Sequence, residues 1–491
     1  MGKSHGSARA LRAPVLSMTN TKIVATLGPA TSSPEMIEEL ILAGVDVFRL
    51  NASHGKAEER TEITALIRQA AREIGTHISV LLDLQGPKIR VGSFEGGHAL
   101  LVEGADFTIT TEPVIGNASV VSTTYSNFAS DVKPGDRVLL ADGTLELEVL
   151  ESGGVSARCR VKRGGILSDR KGINLPGAQL STPSLTRADM VNLDAGLASG
   201  IDLVAMSFVR KPSDVLRLRL FLEERGANLP IIAKIEKPEA VDQISEILSE
   251  SDGVMVARGD LGVELPMEKV PFIQKSIIEE ARRSGKFVIT ATQMLESMIE
   301  NPTPTRAEIS DVANAIYDGT DAVMLSGETS IGKFPVEAVR IMDRTAKQAE
   351  ESIRRHGFRE ITQRADYVTH AEIVADSAYQ AAKFAGAAAI VVFTSSGSSA
   401  RLIARYRPPV PVFAFTPSEQ VARSLGIVYG VKPVIAPHVT STDEMLAQTD
   451  RILLERGWVK ARESVVFVAG QPIGRPGTTN LMKLHRVGES R

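Results

Sequence analysis

The sequence predicts an α/β protein: a (β/α)8 barrel with an inserted β-rich lid domain and a C-terminal open-sheet α/β domain. Three observations predict it. Short apolar runs alternate with amphipathic stretches eight times before about residue 330, the rhythm of strands separated by helices. The rhythm breaks once, over residues 88–181, where glycines, threonines and short alternating segments show no helical period. After about residue 353 a new set of apolar runs and helical stretches begins. The expected map is a flexible tail at 1–18, barrel at 19–87, lid at 88–181, barrel again at 182–353 and a C-terminal domain at 354–491.

Each element has its own signal. TKIVATLG (21–28) reads as a strand, and PEMIEELILAG as a helix opened by Pro34. VDVFRLN (45–51) is a second strand, residues 57–74 a helix, and HISVLLDLQ (77–85) a third strand. Segments such as DRVLLADGTLELEVL (136–150) then indicate β structure. The α/β rhythm resumes with IDLVAMSF (201–208), PIIAKIE (230–236), GVMVARGD (253–260), FVITATQ (287–293) and DAVMLSGE (321–328). Three strands and five make the eight of a TIM-type barrel, whose chemistry sits at the carboxyl ends of its strands. Strand counting does not prove closure, so a doubly wound open sheet is the alternative. The insert leaves from a strand's carboxyl end, where it is placed to cover a site. Beyond it AAIVVFTSSG, VPVFAFT, GIVYGVKP and SVVFVAGQ are strand candidates, with a helix over 441–456.

Composition excludes several classes. An apolar fraction of 43%, a charged fraction of 23% and a net charge of −3 predict a globular chain without general attraction to nucleic acid or membrane. No apolar run approaches the ~20 residues of a spanning helix. The single cysteine, Cys159, rules out an internal disulfide and fits a reducing, cytoplasmic setting. Residues 1–18 carry Lys3, Arg9 and Arg12 and no acid, which suits a tail.

The polar residues that end the barrel strands are the candidates for chemistry. Alternate strand residues share a face, so Lys234 and Glu236 point together and Asp260 closes the next strand at the same level. Arg49, Asn51 and Ser53 alternate at the end of strand 2, with His54 beyond, and Asp83 ends strand 3 before Lys88 and Arg90. Thr26 ends strand 1, Thr290 and Thr292 end strand 7, and Ser326 and Glu328 follow strand 8. Cations facing carboxylates at one mouth suit an anionic substrate held with a hard divalent ion, Mg²⁺ or Mn²⁺. Neither a zinc spacing, a Walker loop nor a dinucleotide glycine fingerprint is present. Plainer roles exist for each: an Arg49–Asp83 or Lys234–carboxylate rim pair, or a helix cap at Thr292 or Asp260.

The stretches TKIVATLGPAT, VFRLNASHG, LQGPKIR, KGINLPG, AKIEKPEAV, VMVARGDLGVE, ITATQMLESM, PTRAEISDVANAIYDGTDAVMLSGE and ARYRP, running in order from about residue 21 to 410, resemble pyruvate kinases. The resemblance implies phosphoryl transfer from phosphoenolpyruvate to ADP, giving ATP and pyruvate. It implies Glu236 and Asp260 as ligands of the divalent ion, Lys234 at the phosphoryl group and enolate oxygen, and Arg49 on the phosphate. The backbone of Ala257, Arg258, Gly259 and Asp260 would receive the substrate carboxylate, and Thr292 would serve the proton path to the enolate carbon. Asn51, His54, Arg90 and Lys171 would serve the nucleotide, with Asp142 reaching in from the lid. A homotetramer under allosteric control is also implied.

One departure stands out. Many members of that family need K⁺ and carry an acid where this chain has Lys88. The lysine ammonium is expected to supply that charge, so K⁺ is not expected to be required, although Asn51, Ser53, Asp83 and Leu84 keep a residual monovalent-cation site. In the C-terminal domain, Thr394, Ser395, Ser396, Gly397, Ser398 and Ser399, with Arg475 and Gly477 in the loop AGQPIGRPGTTN, correspond to a pocket for a sugar-phosphate or AMP effector. Helix capping and a flexible loop would explain the same residues. A metal-dependent carbon–carbon lyase and a non-catalytic metabolite sensor are the rival functions; the lid and Lys171 disfavour the first, and intact Lys234, Glu236 and Asp260 the second.

Overall fold

The computed structural model describes residues 19–178, 180–357, 369–473 and 477–489. The expected tail at 1–18 lies outside the described residues. Eight parallel strands close a barrel: strand 1 (Lys22–Thr26), 2 (Val47–Asn51), 3 (Ser79–Asp83), 4 (Leu203–Met206), 5 (Ile231–Ile235), 6 (Gly253–Ala257), 7 (Phe287–Ala291) and 8 (Ala322–Leu325). Strand 1 pairs with both strand 2 and strand 8, which removes the open-sheet alternative.

Strand alternation builds two layers. Val24, Val47, Leu81, Ala205, Ile232, Met255, Ile289 and Met324 fill the barrel interior. Their neighbours Ile23, Phe48, Leu82, Val204, Ala233, Val254, Val288 and Val323 face the helices. Phe48 is fully buried there, and Phe48→Ala would cost about 3–5 kcal/mol through lost transfer energy and the cavity left behind. Helix starts follow local rules. Ser33 accepts from the Met36 N–H ahead of Pro34, and Thr305 and Glu308 cap each other's backbone N–H reciprocally.

The insert follows strand 3. Six strands in the order Ile173–Asn174, Arg137–Leu140, Leu145–Gly153, Ser156–Arg163, Asp106–Thr110 and Val120–Ser122 form its main sheet, beside a ribbon of His98–Leu101 and Gly165–Ser168. Its own core includes Phe107, Phe128, Leu147 and Cys159.

The C-terminal sheet has the order Val431–Ile435, Val412–Thr416, Ala389–Phe393, Ser464–Gly470, Thr479–Arg486, with the last strand antiparallel. The segment GIVYGVKP is not one strand. Leu425–Ile427 forms a 3-10 turn and the strand begins at Val431, because Gly430 takes a left-handed φ of 67°. The final strand, Thr479–Arg486, carried no signal strong enough to be expected. This domain docks on the amino ends of the barrel strands. Arg407 holds Asp321 at 2.9 and 3.0 Å, and Arg423 holds Asp202 at 2.7 Å. The opposite, carboxyl-end mouth is left to the insert.

Candidate active site

The mouth is polar because the interior-facing positions change character at the last turn of each strand. Continuing the phase of Val24, Val47, Leu81, Ala205 and Ile232 outward places Thr26, Arg49, Asn51, Asp83, Ser207, Lys234 and Glu236 on the inner face. Lys234 Nζ lies 2.7 Å from Glu236 Oε1 and 3.3 Å from Asp83 Oδ1, and donates to Ser207 Oγ at 2.8 Å. Arg49 donates from Nε to Asp83 Oδ2 at 2.7 Å and from Nη1 to Thr26 Oγ1 at 3.0 Å. Both rim pairs named as plainer readings are therefore present. They also fix two cations at one barrel mouth: the three contacts of Lys234 match its three donors, while Arg49 has N–H donors beyond the two used here.

The electrostatics follow from burial. Asp83 is 1% exposed; burial alone would raise its carboxyl, but Lys234 and Arg49 hold it below the ordinary range. Burial disfavours the Lys234 ammonium, yet Asp83, Glu236 and Asp260 together raise it well above an ordinary lysine. Glu236 goes the other way. Burial first, and repulsion from Asp260, raise its carboxyl against the pull of Lys234 and the Phe208 N–H, which donates at 2.8 Å. Two carboxylates that repel each other at a cation-lined mouth are a donor set a hard dication relieves. Among the described residues there is no group of three His, Cys, Asp or Glu placed to hold a metal. The pair suits Mg²⁺, which takes one or two protein carboxylates and completes its shell with substrate oxygens and water.

Asp260 lies in the first turn of the helix Arg258–Glu264, which starts where strand 6 ends. The capping position is Ala257, so Asp260 is not the cap. Gly259 N–H donates to Thr292 Oγ1 at 2.8 Å, and Thr292 donates to Ala291 O at 2.6 Å. Thr292 is not a helix cap either; it sits at φ 68°, a region β-branched residues avoid. Arg258 contributes more than backbone. Its guanidinium grips Asp311 at 2.7 Å through both oxygens and donates to Thr292 O at 2.6 Å, anchoring the end of strand 7.

Thr290 and Glu328 do not join the site. Thr290 shares the outward phase of Val288, is fully buried and bonds Thr320 Oγ1 at 3.0 Å. Glu328 is buried as well and accepts from the Leu295 and Ser326 N–H groups, so the residues after strand 8 tie a turn together. Ser207 and the Phe208 N–H were missed, although Ser207 is in phase with Leu203 and Ala205.

Around the mouth, Lys88 Nζ donates to Ser53 Oγ at 2.8 Å, and Ser53 N–H donates to Asn51 Oδ1 at 3.0 Å. Burial, then Arg90 and Lys234, lower the Lys88 ammonium; Asp83 and Asp260 partly oppose them. Leu84 offers its carbonyl to Ser207 Oγ at 2.7 Å. His54 is lowered by burial and then by Lys88, Arg90 and Arg49, so its ring is neutral at neutral pH. At the root of the insert, Arg90 Nη1 donates to Arg170 O at 2.7 Å and Arg90 bridges Gly172. Ala141 N–H donates to Gly172 O at 3.1 Å, which sets Asp142 beside the Lys171–Gly172 backbone. Arg90, Asp142 and Lys171 thus share one edge.

A cleft lies elsewhere, in the C-terminal domain. Thr394, Ser395, Ser396, Ser398, Ser399 and Gly477 line it, with His438 and Thr479. Gly397 caps the helix Ser398–Ala404 at φ 82° and donates to Thr394 Oγ1 at 2.9 Å. Arg475 lies outside the described residues.

Comparison with known proteins shows the family. Residues 18–339 match the family described as pyruvate kinase, barrel domain, and residues 372–485 that described as pyruvate kinase, alpha/beta domain. A pyruvate kinase of Sporosarcina psychrophila is 45% identical over 477 residues, covering 96% of this chain and 81% of that protein. One of Geobacillus stearothermophilus is 45% identical over 472 residues, covering 96% and 80%. A crystal structure of a pyruvate kinase from Cryptosporidium parvum superposes with a TM-score of 0.89 at 37% identity, covering 96% of each chain. By likeness over nearly its whole length, and by fold, the chain belongs to the pyruvate kinase family.

Proposed function

We propose that the chain transfers the phosphoryl group of phosphoenolpyruvate to ADP, giving ATP and pyruvate, with Lys234 as the central catalytic group. The observation that carries the reading is the ammonium of Lys234, buried at the barrel mouth beside Arg49 and held charged by Asp83 and Glu236. A phosphoryl group in flight spreads charge over its oxygens, and fixed cations in a low-dielectric site stabilise that charge without reorganising. Arg49 orients the phosphate; Lys234 faces the transferring group and the enolate oxygen. The P–O bond to the enol oxygen breaks, a bond to the terminal ADP oxygen forms, and the enolate carbon takes a proton along a path that includes Thr292.

Glu236 and Asp260 would hold the divalent ion, which would neutralise substrate oxygens. The helix start from Ala257 to Asp260, including Arg258 and Gly259, seats the substrate carboxylate. The Gly259 N–H meets Thr292 Oγ1 in this structure, so substrate binding there competes with that bond. Asn51, His54, Arg90 and Lys171 receive the nucleotide, and Asp142 approaches from the insert, residues 88–181, which covers the mouth. Lys88 takes the place of K⁺. Its ammonium senses Lys234, Asp83 and Asp260 at once, as an ion bound near the phosphates would.

The C-terminal cleft takes a sugar phosphate or AMP as effector. The exposed Phe272 and Phe384, at 74% and 84%, fit subunit contacts of a homotetramer. Cys159, whose thiol burial pushes up to about 12, is inert and suits a cytoplasmic enzyme. No described helix is long and apolar enough to cross a membrane. A coupled assay tests the reaction: the full chain with Mg²⁺, phosphoenolpyruvate and ADP forms ATP and pyruvate in equal amounts. Pyruvate without ATP would favour a lyase or phosphatase, and no product a binding protein.

A further inference from the structure

One buried carboxylate outside the reacting centre ties three parts of the site together. Glu264 ends the helix Arg258–Glu264, whose first turn carries Asp260. Its Oε1 accepts from Lys237 Nζ at 2.5 Å and from Asn174 Nδ2 at 3.0 Å. Lys237 directly follows Glu236, and its ammonium lies 5.8 Å from the centroid of the Phe208 ring, whose own N–H holds Glu236. Asn174 belongs to the inserted domain, in the strand that pairs with Leu139 and Leu140. The side chains of Glu264 and Lys237 are 1% and 7% exposed. Glu264 Oε2 is buried with no hydrogen-bond partner, so the carboxylate depends on the two donors at Oε1. Beside this bond, a methyl group at Gly143 of the insert would touch Val263 of the same helix.

We propose that Glu264 is a positioning residue that couples the inserted lid to the metal-binding carboxylates, with Asn174 as the lid's contact. When the lid sits down, its amide completes the Glu264 carboxylate; when it leaves, Lys237 is the sole donor to a buried charge, a costly arrangement. The strain falls on the helix that carries Asp260 and on the strand end that carries Glu236. Nucleotide held under the lid and metal held at the mouth then strengthen each other, as any coupling between two sites must be mutual. The coupling rests on the reading of Glu236 and Asp260 as metal ligands.

The test uses Mn²⁺ binding followed by electron paramagnetic resonance, without nucleotide, and hydrogen exchange of residues 258–264 with and without ADP. In the unmodified chain, ADP slows exchange across 258–264. Asn174→Ala should keep Mn²⁺ affinity within about twofold, lose that ADP response, and raise the KM for ADP by about 5- to 150-fold with a smaller change in kcat. Glu264→Gln, which keeps an acceptor for Asn174 but removes the charge paired with Lys237, should weaken Mn²⁺ about 10- to 100-fold, as loss of an outer-shell partner does. An Asn174→Ala chain that retains the ADP response, or one that loses Mn²⁺ as strongly as Glu264→Gln, overturns the coupling. Wild-type chain that binds no Mn²⁺, or a Glu236→Gln chain that binds it undiminished, overturns the metal reading and the coupling with it; that result is distinct because it appears without the lid being altered.

Discussion

The Lys234 ammonium and the Glu236 carboxylate meet at 2.7 Å, two residues apart at the end of one strand, and are 8% and 3% exposed. Their separation in sequence dictates their shared face, and their burial dictates their dependence on each other. The pair puts a cation and an anion side by side at the barrel mouth, and both feel the charge of Asp260. Phosphoryl transfer needs both signs of charge at fixed positions, and in the proposed reaction one strand would supply them.

Thr292 Oγ1 accepts from the Gly259 N–H in the helix that carries Asp260, and the proposed proton path runs through this hydroxyl. Thr292→Val keeps the shape and the strained φ but removes the hydroxyl. Turnover is expected to fall about 100-fold or more, the low end for a positioned proton transfer, while Thr292→Ser keeps most of it. Stopped-flow measurement of pyruvate formation checks this; equal rates for Thr292→Val and the parent assign the proton path to another group.

In the proposed reaction Lys88 sets the response to K⁺ and pH. Its ammonium is lowered from the ordinary lysine value by burial, Arg90 and Lys234. A depressed lysine loses its proton at a lower pH than a free lysine does. Assays in tetramethylammonium buffer should therefore show no need for K⁺ at neutral pH. As pH rises through the lowered Lys88 value, the rate should fall and added K⁺ should begin to restore it. Lys88→Met should require K⁺ already at neutral pH. A steep K⁺ dependence of the unmodified chain at neutral pH contradicts this role.

Arg407 and Asp321 clamp the C-terminal domain to the barrel floor, with side chains 2% and 4% exposed. Removing one partner strands a buried charge. Arg407→Ala is expected to lose about 3–5 kcal/mol, read as faster amide exchange at residues 319–322 and 429 and a lower denaturant midpoint. Exchange there unchanged from the parent would show that the clamp does not hold the interface.

Much of this was legible because strands impose a two-residue period. Lys234 and Glu236, or Arg49 and Asn51, are placed on one face by spacing alone, and the apolar residues before them say that the face is interior. The same rule, applied with attention to phase, separates Thr290 from the site: it falls in step with Val288, which faces the helices. Ser207 was legible in the same way and was passed over. What spacing does not show is pairing across long intervals. The grip of Arg258 on Asp311, 53 residues away, and the approach of Asn174 to Glu264, 90 residues away, depend on how separate elements pack. In the C-terminal domain, Gly430 displaced a strand that apolar content alone had placed too early.

The most direct measurement is the turnover of Lys234→Ala beside its affinity for phosphoenolpyruvate. Removing the ammonium is expected to lower the rate by ~10³–10⁵, roughly 4–7 kcal/mol of transition-state stabilisation, while circular dichroism shows a folded chain and phosphoenolpyruvate binds within about tenfold of the parent through Arg49 and the metal site. A folded Lys234→Ala chain that turns over at near the parental rate would contradict the assignment of Lys234 to the phosphoryl group.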